Sequence, residues 1–531
     1  MFLRCQYCGE TPPLKSNQGI CEELNRVAAY LDPADEPVCP EPSCENHGVG
    51  ISVEGAYYSF GKTKSGSQRY RCRTCNKTFS VGCSTLRQKK PEINEMVFKL
   101  LMNKMPLNRI CETVGISMNT LYGKIDFIHQ QCLKFAGKQE RRLPEIDIPR
   151  LYISVDRQDH MINWSQAHDK RNIVLTALGS ADNKSGFIFG IHVNYDPTLM
   201  PLVVENEART SGDYDLKPPF RKHARLWLEK DFVDSIEQRR RKATIKGKSS
   251  LAEEIKGQYE QAQDRTDVES SEDIGDTISL PRNGMLVHSE YTLYAHFFFL
   301  RQLLGNVGKV RFYLDQESGI RAACLAAFQK EVLDKRCDAF FVKVNKTLTI
   351  NQKRSLKVQS DRELEELRES DPAYSLLSDF DLRLIVIQQR MKSLVNIGPW
   401  HDRWLLYPFP DMSEPEKAIC WLTDLHDRSY ADEQLARLYA KATLHGIDRF
   451  FMQVRRRISL LERPISSASS EGRKWHGYSA YNPAMVGKLL DIFRVFYNYV
   501  AIGKDKKTPA MRLSLKETPA TFMDIITEGS I

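Results

Sequence analysis

Two periods alternate along this chain, and the places where one replaces the other predict its elements. In EINEMVFKLLMNKM, residues 92–105, apolar side chains recur at Ile93, Met96, Val97, Leu100, Leu101 and Met105, the spacing of one helix face, and Pro106 ends the run. LNRICETVG then predicts a short second helix stopped by Gly115, and Ser117 is placed to cap a third, ISMNTLYGKIDFIHQQCLKF. Past the two prolines of RRLPEIDIPR the period becomes two. Leu151, Ile153 and Val155 alternate as a strand up to Asp156, and two more apolar strands, NIVLTALGSADNKSG and FIFGIHV, meet at a turn of Asp182 and Gly186. Val310, Phe312 and Leu314 make a later strand that ends at Asp315 and gives way at once to an amphipathic helix. A last helical stripe runs through Ile447, Phe450, Phe451, Val454, Ile458 and Leu461, so that helix is buried along one side.

At 531 residues the chain is long enough for two to four domains. The apolar share of 41%, the charged share of 27% and the lack of any long apolar run predict a globular protein with no membrane role. The start, MFLRCQYCGE, has no secretory signature, which places the chain in the cytoplasm with its thiols reduced. A net charge of +8 is modest, but its distribution is not: Gly55–Pro91 holds nine Lys or Arg and no acid, whereas Leu251–Ser279 is acidic. The first stretch suits a phosphate backbone.

Eight of the thirteen cysteines fall in the first 83 residues, where clustered reduced thiols suggest metal ligands. Cys39 and Cys44 form one knuckle and Cys72 and Cys75 the other, with a hairpin between, a spacing that brings four thiolates to one Zn²⁺. Cys5 and Cys8 are a third pair, either part of a second zinc site or an alternative partner for Cys72 and Cys75. The three helical segments that follow have the layout of a helix-turn-helix, in which Ser117, Asn119, Tyr122 and Lys124 would meet base edges or phosphates. Lys62, Lys64, Arg69, Arg71 and Arg73 on the basic run, and Arg455 and Arg456 on the late helix, are further candidates for DNA contact.

Asp156 and Asp315, at the ends of neighbouring strands, can point at common metal ions, and phosphodiester chemistry uses two Mg²⁺ ions roughly 4 Å apart. Asp448, in the first turn of the late helix, is the candidate third acid. Glu462, almost four turns on, reads as a cap or as the partner of a neighbouring Arg.

These residues resemble the DDE-type transposases of bacterial insertion elements, closest to the insertion-sequence-one kind. The run Gly-Lys-x-x-x-Gly-x-Gln-Arg-Tyr-x-Cys-x-x-Cys-x-Lys-Thr from Gly61 to Thr78 is similar to that family's zinc ribbon, Ile447-Asp448-Arg449 to its Ile-Glu-Arg helix, and Phe493–Leu515 to its tail. Asp448 stands where the family carries Glu. The resemblance implies a multidomain α/β chain. Residues 1–85 would be the zinc-ribbon region and 86–145 the helix-turn-helix. An RNase H-like core over 150–500 would be interrupted by a charged insertion, 204–284, and a mainly helical one, 350–444, ahead of a tail, 501–531. It further implies structural Zn²⁺, catalytic Mg²⁺ or Mn²⁺ held by Asp156, Asp315 and Asp448, double-stranded DNA as partner, self-association on it, and a bacterial nucleoid-associated location. The competing reading is a catalytically inactive, domesticated DNA-binding regulator built on the same parts.

Overall fold

Where the period is two the chain forms sheet, and where it is near four it forms helix. The computed structural model describes residues 14–32, 37–51, 53–63, 67–82, 84–85, 88–163, 171–242, 251–263, 278–317, 319–345, 348–398, 402–424, 430–462 and 479–528. They divide into two units, Asn25–Ile146 with Met452–Ile531, and Met1–Leu24 with Asp147–Phe451. This differs from the expected order of domains. The expected core, 150–500, ends as a unit at Phe451, and the rest belongs with the N-terminal segments.

The reason lies in apolar packing within the first of these units. A three-stranded antiparallel sheet, β1 (Tyr57–Lys62), β2 (Gln68–Cys72) and β3 (Thr78–Val81), is followed by helices Asn94–Leu101, Leu107–Val114 and Met118–Glu140. Gly115 takes the left-handed conformation at φ +68° that closes the second helix, and Ser117 caps the third by accepting from the Thr120 N–H at 3.3 Å. The long third helix packs on Ala484–Val495, and the Phe98 ring meets Phe522 edge-on at 4.8 Å. The tail is therefore part of this core. The inward stripe on the first helix is Val97, Phe98, Leu101 and Met102, with Met96 exposed, because Phe98 has an aromatic partner only on that side.

Glu140 is fully buried and accepts from Arg494 at 2.7 and 2.9 Å, from the Tyr30 hydroxyl at 2.6 Å and from Tyr499 at 3.2 Å. Burial raises both tyrosine hydroxyls well above their ordinary range, and Glu140 adds to the rise. Removing the carboxylate strands a buried guanidinium. Glu140→Ala is expected to cost about 3–5 kcal/mol, measured by urea unfolding.

In the other unit β4 (Arg150–Ile162), β5 (Ile173–Asp182) and β6 (Ile188–Val193) form the expected antiparallel run, and β7 (Tyr195–Asp196) pairs with β8 (Met285–Leu286). Asp182 holds its turn by accepting from Ser185 N–H and hydroxyl, each at 2.7 Å, with Gly186 at φ +76°. β9 (Lys309–Asp315) lies parallel to β4, and β10 (Cys337–Val344) parallel to β9. β11 (Val395–Asn396), β12 (Arg403–Tyr407) and β13 (Lys417–Trp421) complete an eight-stranded mixed sheet in the order β11-β12-β13-β10-β9-β4-β5-β6. The protein is thus mixed α/β. The 350–444 segment, expected to be mainly helical, supplies helices Ile350–Ser370, Asp379–Met391 and Asp432–Lys441 and also three strands of this sheet.

One sheet face is covered through Phe312, whose ring meets Phe297 at 5.7 Å and Phe328 at 4.8 Å; on the other, Tyr313 joins Phe340, Tyr439 and Leu444 in a buried cluster. The charged 204–284 segment has a core of its own, in which Val204, Ala208, Leu226 and Leu228 pack with Ile20, Met285 and Val287. Its helix Leu251–Gln263 is anchored by buried Ile255 and by Tyr259, whose hydroxyl donates to Asp402.

Candidate metal centres

Period two along β4 sends Tyr152, Ser154 and Asp156 to one sheet face, and along β9 it sends Tyr313 and Asp315 to the same face. The parallel register Val155↔Leu314 sets the two aspartates side by side. Both are buried, with 4% and 8% of their surface exposed, at a place where isolated carboxylates are costly. Glu317, in the turn after β9, joins them: one carboxylate oxygen from each of Asp156, Asp315 and Glu317 lies within 4.8 Å of the others. That spacing fits a divalent cation with oxygen ligands. Sequence reading missed Glu317. Its signal was the Asp-x-Glu at the strand end, obscured because Glu317 lies outside the strand.

Arg157 bears on this site from the next position of β4, with an ion pair to Glu317 and a hydrogen bond to the Ser289 hydroxyl at 3.3 Å. Burial pushes the Glu317 carboxyl above its usual range; Arg157 opposes the rise and Asp315 adds to it. Asp156 also accepts from the Arg157 backbone N–H at 2.7 Å. Contrary to expectation, Asp156 does not end its strand, which continues to Ile162.

Asp448 is half-buried in the first turn of helix His445–Arg457 and lies outside the group of three. Its helix nonetheless docks on the face that carries Asp156. The Ile447 N–H donates to the Ser154 hydroxyl at 3.1 Å, and the Gly446 N–H to Asn183 at 3.0 Å. Gly179, the cross-strand partner of Asp156, makes room: a Cβ there would lie 2.6 Å from Ile447 Cδ1 and 3.1 Å from Phe451 Cζ. Gly179→Val is therefore expected to cost about 1–3 kcal/mol and to weaken metal binding with it, read from thermal unfolding and Mn²⁺ titration.

The second centre is built by the segment ahead of β1 and the end of β2 with the turn that follows it. Cys39, Cys44, Cys72 and Cys75 bring their sulfurs together, with Cys39 to Cys75 at 3.3 Å and Cys44 to Cys72 at 3.7 Å. Four thiolates about 2.3 Å from one zinc would stand about 3.8 Å apart, far more than a disulfide allows. Tyr57 shapes the first knuckle: its hydroxyl accepts from the Cys39 N–H at 2.9 Å and donates to the Asn46 and Val49 carbonyls. Asn76, at φ +58°, turns the second so that its N–H reaches the Cys72 carbonyl at 3.1 Å. Burial pushes the Cys72 thiol up, but N–H groups of Cys75, Asn46 and Thr74 outweigh it and bring it down to about 6, while burial and the neighbouring thiols push Cys39 far up. Four clustered sulfurs, which lose their protons as a metal binds, are a donor set suited to a soft divalent ion. Cys5, Cys8 and Lys64 lie outside the described residues.

Among the expected DNA contacts, Lys62, Ser117, Asn119, Tyr122 and Arg456 are exposed, and Arg69, Arg71 and Arg455 are half-buried. Arg73 is exposed in the turn that follows β2. Lys124 corrects the expectation. It is buried, and its ammonium donates to the Lys89 and Lys90 carbonyls at 2.6 and 2.9 Å, so it ties the preceding loop to the third helix and cannot reach a phosphate. Glu462 pairs with Lys104 at 2.7 Å, not with the neighbouring Arg that was expected.

No known family model matches the chain, and no curated protein matches it either. No helix among the described residues is long and apolar enough to cross a membrane.

Proposed function

We propose that the chain is a DNA-processing enzyme of the transposase type, cutting and joining DNA strands with divalent metal at the acid group. The observation that carries this reading is the convergence within 4.8 Å of Asp156 and Asp315, on adjacent parallel strands, with Glu317 two residues beyond the second strand, beside a helix bearing Asp448. Bound Mg²⁺ or Mn²⁺ would activate the attacking oxygen and stabilise the leaving one. The chain's own contribution is to hold the three carboxylates in register. Arg157 balances their charge, and the sheet face is closed by the Ile447 and Phe451 side chains. The four-cysteine module then reads as a zinc ribbon and the segment 94–140 as a helix-turn-helix, each serving DNA binding.

The deciding experiment incubates purified protein with DNA from both flanks of its gene, where a mobile element carries terminal repeats, with and without Mg²⁺ or Mn²⁺. Metal-dependent nicking at the repeat ends is expected; binding without cleavage would replace the enzyme by the regulator reading. Affinity for the same DNA should fall steeply with salt. Four phosphate contacts from Lys62, Arg69, Arg71 and Arg73 would give a log–log slope of about −3 to −4, measured by anisotropy between low and physiological salt.

A further inference from the structure

The small sheet has two unlike faces, and the cysteine cluster lies on only one. Tyr57, Tyr70, Cys72 and Phe79 pack together around the sulfur cluster. The opposite face is set by the register: Tyr58 lies across from Arg71, Arg71 from Thr78 and Arg69 from Ser80. Phe60 is 40% exposed there, a large ring on an open strand. Arg69 and Arg71 lie over the Phe60 ring at 5.3 and 5.5 Å, and Arg73 over Tyr58 at 5.5 Å. The arginines are also braced, Arg71 to the Asn76 carbonyl at 3.1 Å and Arg69 to the Thr78 hydroxyl at 3.3 Å. The three strands contain no acid.

We infer that this face binds single-stranded DNA, stacking unpaired bases on Phe60, Tyr58 and the guanidinium planes while Arg69, Arg71 and Arg73 neutralise the phosphates. The inference deepens the proposed function and rests on it for the choice of DNA as the polymer. Charge complementarity alone would suit any nucleic acid. The aromatic rings decide the form, because a duplex keeps its base faces stacked on one another and offers a flat ring nothing to cover. Phosphate contacts alone call for arginine; they give no reason for an exposed phenylalanine beneath two of them.

The test measures anisotropy of a labelled mixed-sequence 20-nucleotide single strand and of the matching duplex with the full chain. Phe60→Ala is expected to weaken single-strand binding by roughly tenfold, leaving duplex binding and the salt slope unchanged, and Phe60→Trp to restore it. Arg71→Ala should instead flatten the single-strand salt slope by about 0.7. Zinc content equal to wild type in each variant shows that the module still folds. Equal loss on strand and duplex, or no loss with Phe60→Ala at intact zinc content, would overturn the inference. A protein that binds strands through Phe60 yet never cleaves overturns only the enzyme reading; one that cleaves while Phe60→Ala binds normally overturns only this one.

Discussion

Asp156→Ala and Asp315→Ala are each expected to lower Mg²⁺- or Mn²⁺-dependent strand cleavage by about 10³-fold or more, with DNA binding unchanged. Both side chains are buried, both come from adjacent parallel strands, and no other described acid shares their group except Glu317. Losing one ligand of three forfeits several kcal/mol of charge stabilisation, which is a loss of that order in rate. The two candidates for the third ligand separate in a Mn²⁺ titration of the same variants. Glu317→Gln is expected to raise the Mn²⁺ dissociation constant at least tenfold, because its carboxylate lies in the group. Asp448→Ala is expected to leave that constant nearly unchanged and to show its effect, if it has one, on cleavage. Equal loss of metal binding in Asp448→Ala and Asp315→Ala would make the helix acid a ligand and the group of three incomplete. Glu462→Ala, which removes only an exposed pair with Lys104, should behave as wild type in both measurements.

How far the sequence could be read follows the range of the interactions involved. Local rules held: Gly115 and Ser117 punctuate the helices as their chemistry requires, and Asp182 with Gly186 makes the turn between β5 and β6. The stripe from Ile447 to Leu461 is buried throughout. Thr508, just before Pro509, caps a short helix by accepting from the Met511 N–H, a local reason for the Thr-Pro-Ala in the tail.

What failed depended on contacts distant in sequence. The inward face of helix Asn94–Leu101 is set by Phe522, more than four hundred residues on, so periodicity alone placed Met96 inside and overlooked Phe98. Lys124 looked like a phosphate contact because it lies near the start of the helix expected to enter a groove; the carbonyls that claim it come from the loop at Lys89 and Lys90. In the same way β11, β12 and β13 are short and embedded among helices, and only their pairing outward from β10 reveals them as sheet. Asp156 and Asp315 could be picked out because each ends an alternating run of apolar residues, whereas Glu317 lies two residues beyond that signal.

Removing zinc is expected to unfold the sheet of β1, β2 and β3 outright. The packed interior of that module consists of Cys39, Ala56, Tyr57 and Cys72, with a few half-buried neighbours such as Tyr70 and Phe79. An interior that small cannot offset the ordering of some forty residues. Hydrogen bonds from the Tyr57 hydroxyl and from the Asn46 amide, which reaches the Ala56 carbonyl and the Cys72 sulfur, brace the two knuckles around the sulfurs. Structural zinc bound by four thiolates supplies on the order of 10–16 kcal/mol, far more than the net stability of a domain. Purified protein should therefore contain at least one zinc per chain by elemental analysis. A strong chelator should expose residues 37–81 to protease, and Cys72→Ser should reproduce the effect without chelator. Loss of zinc with the protease pattern unchanged would show that the hydrogen bonds around Tyr57 suffice, and a protein purified without zinc would remove the metal from the account of this module altogether. Two zinc ions per chain would instead give Cys5 and Cys8 a site of their own, separable because Cys5→Ser should then halve the metal content and leave residues 37–81 protected.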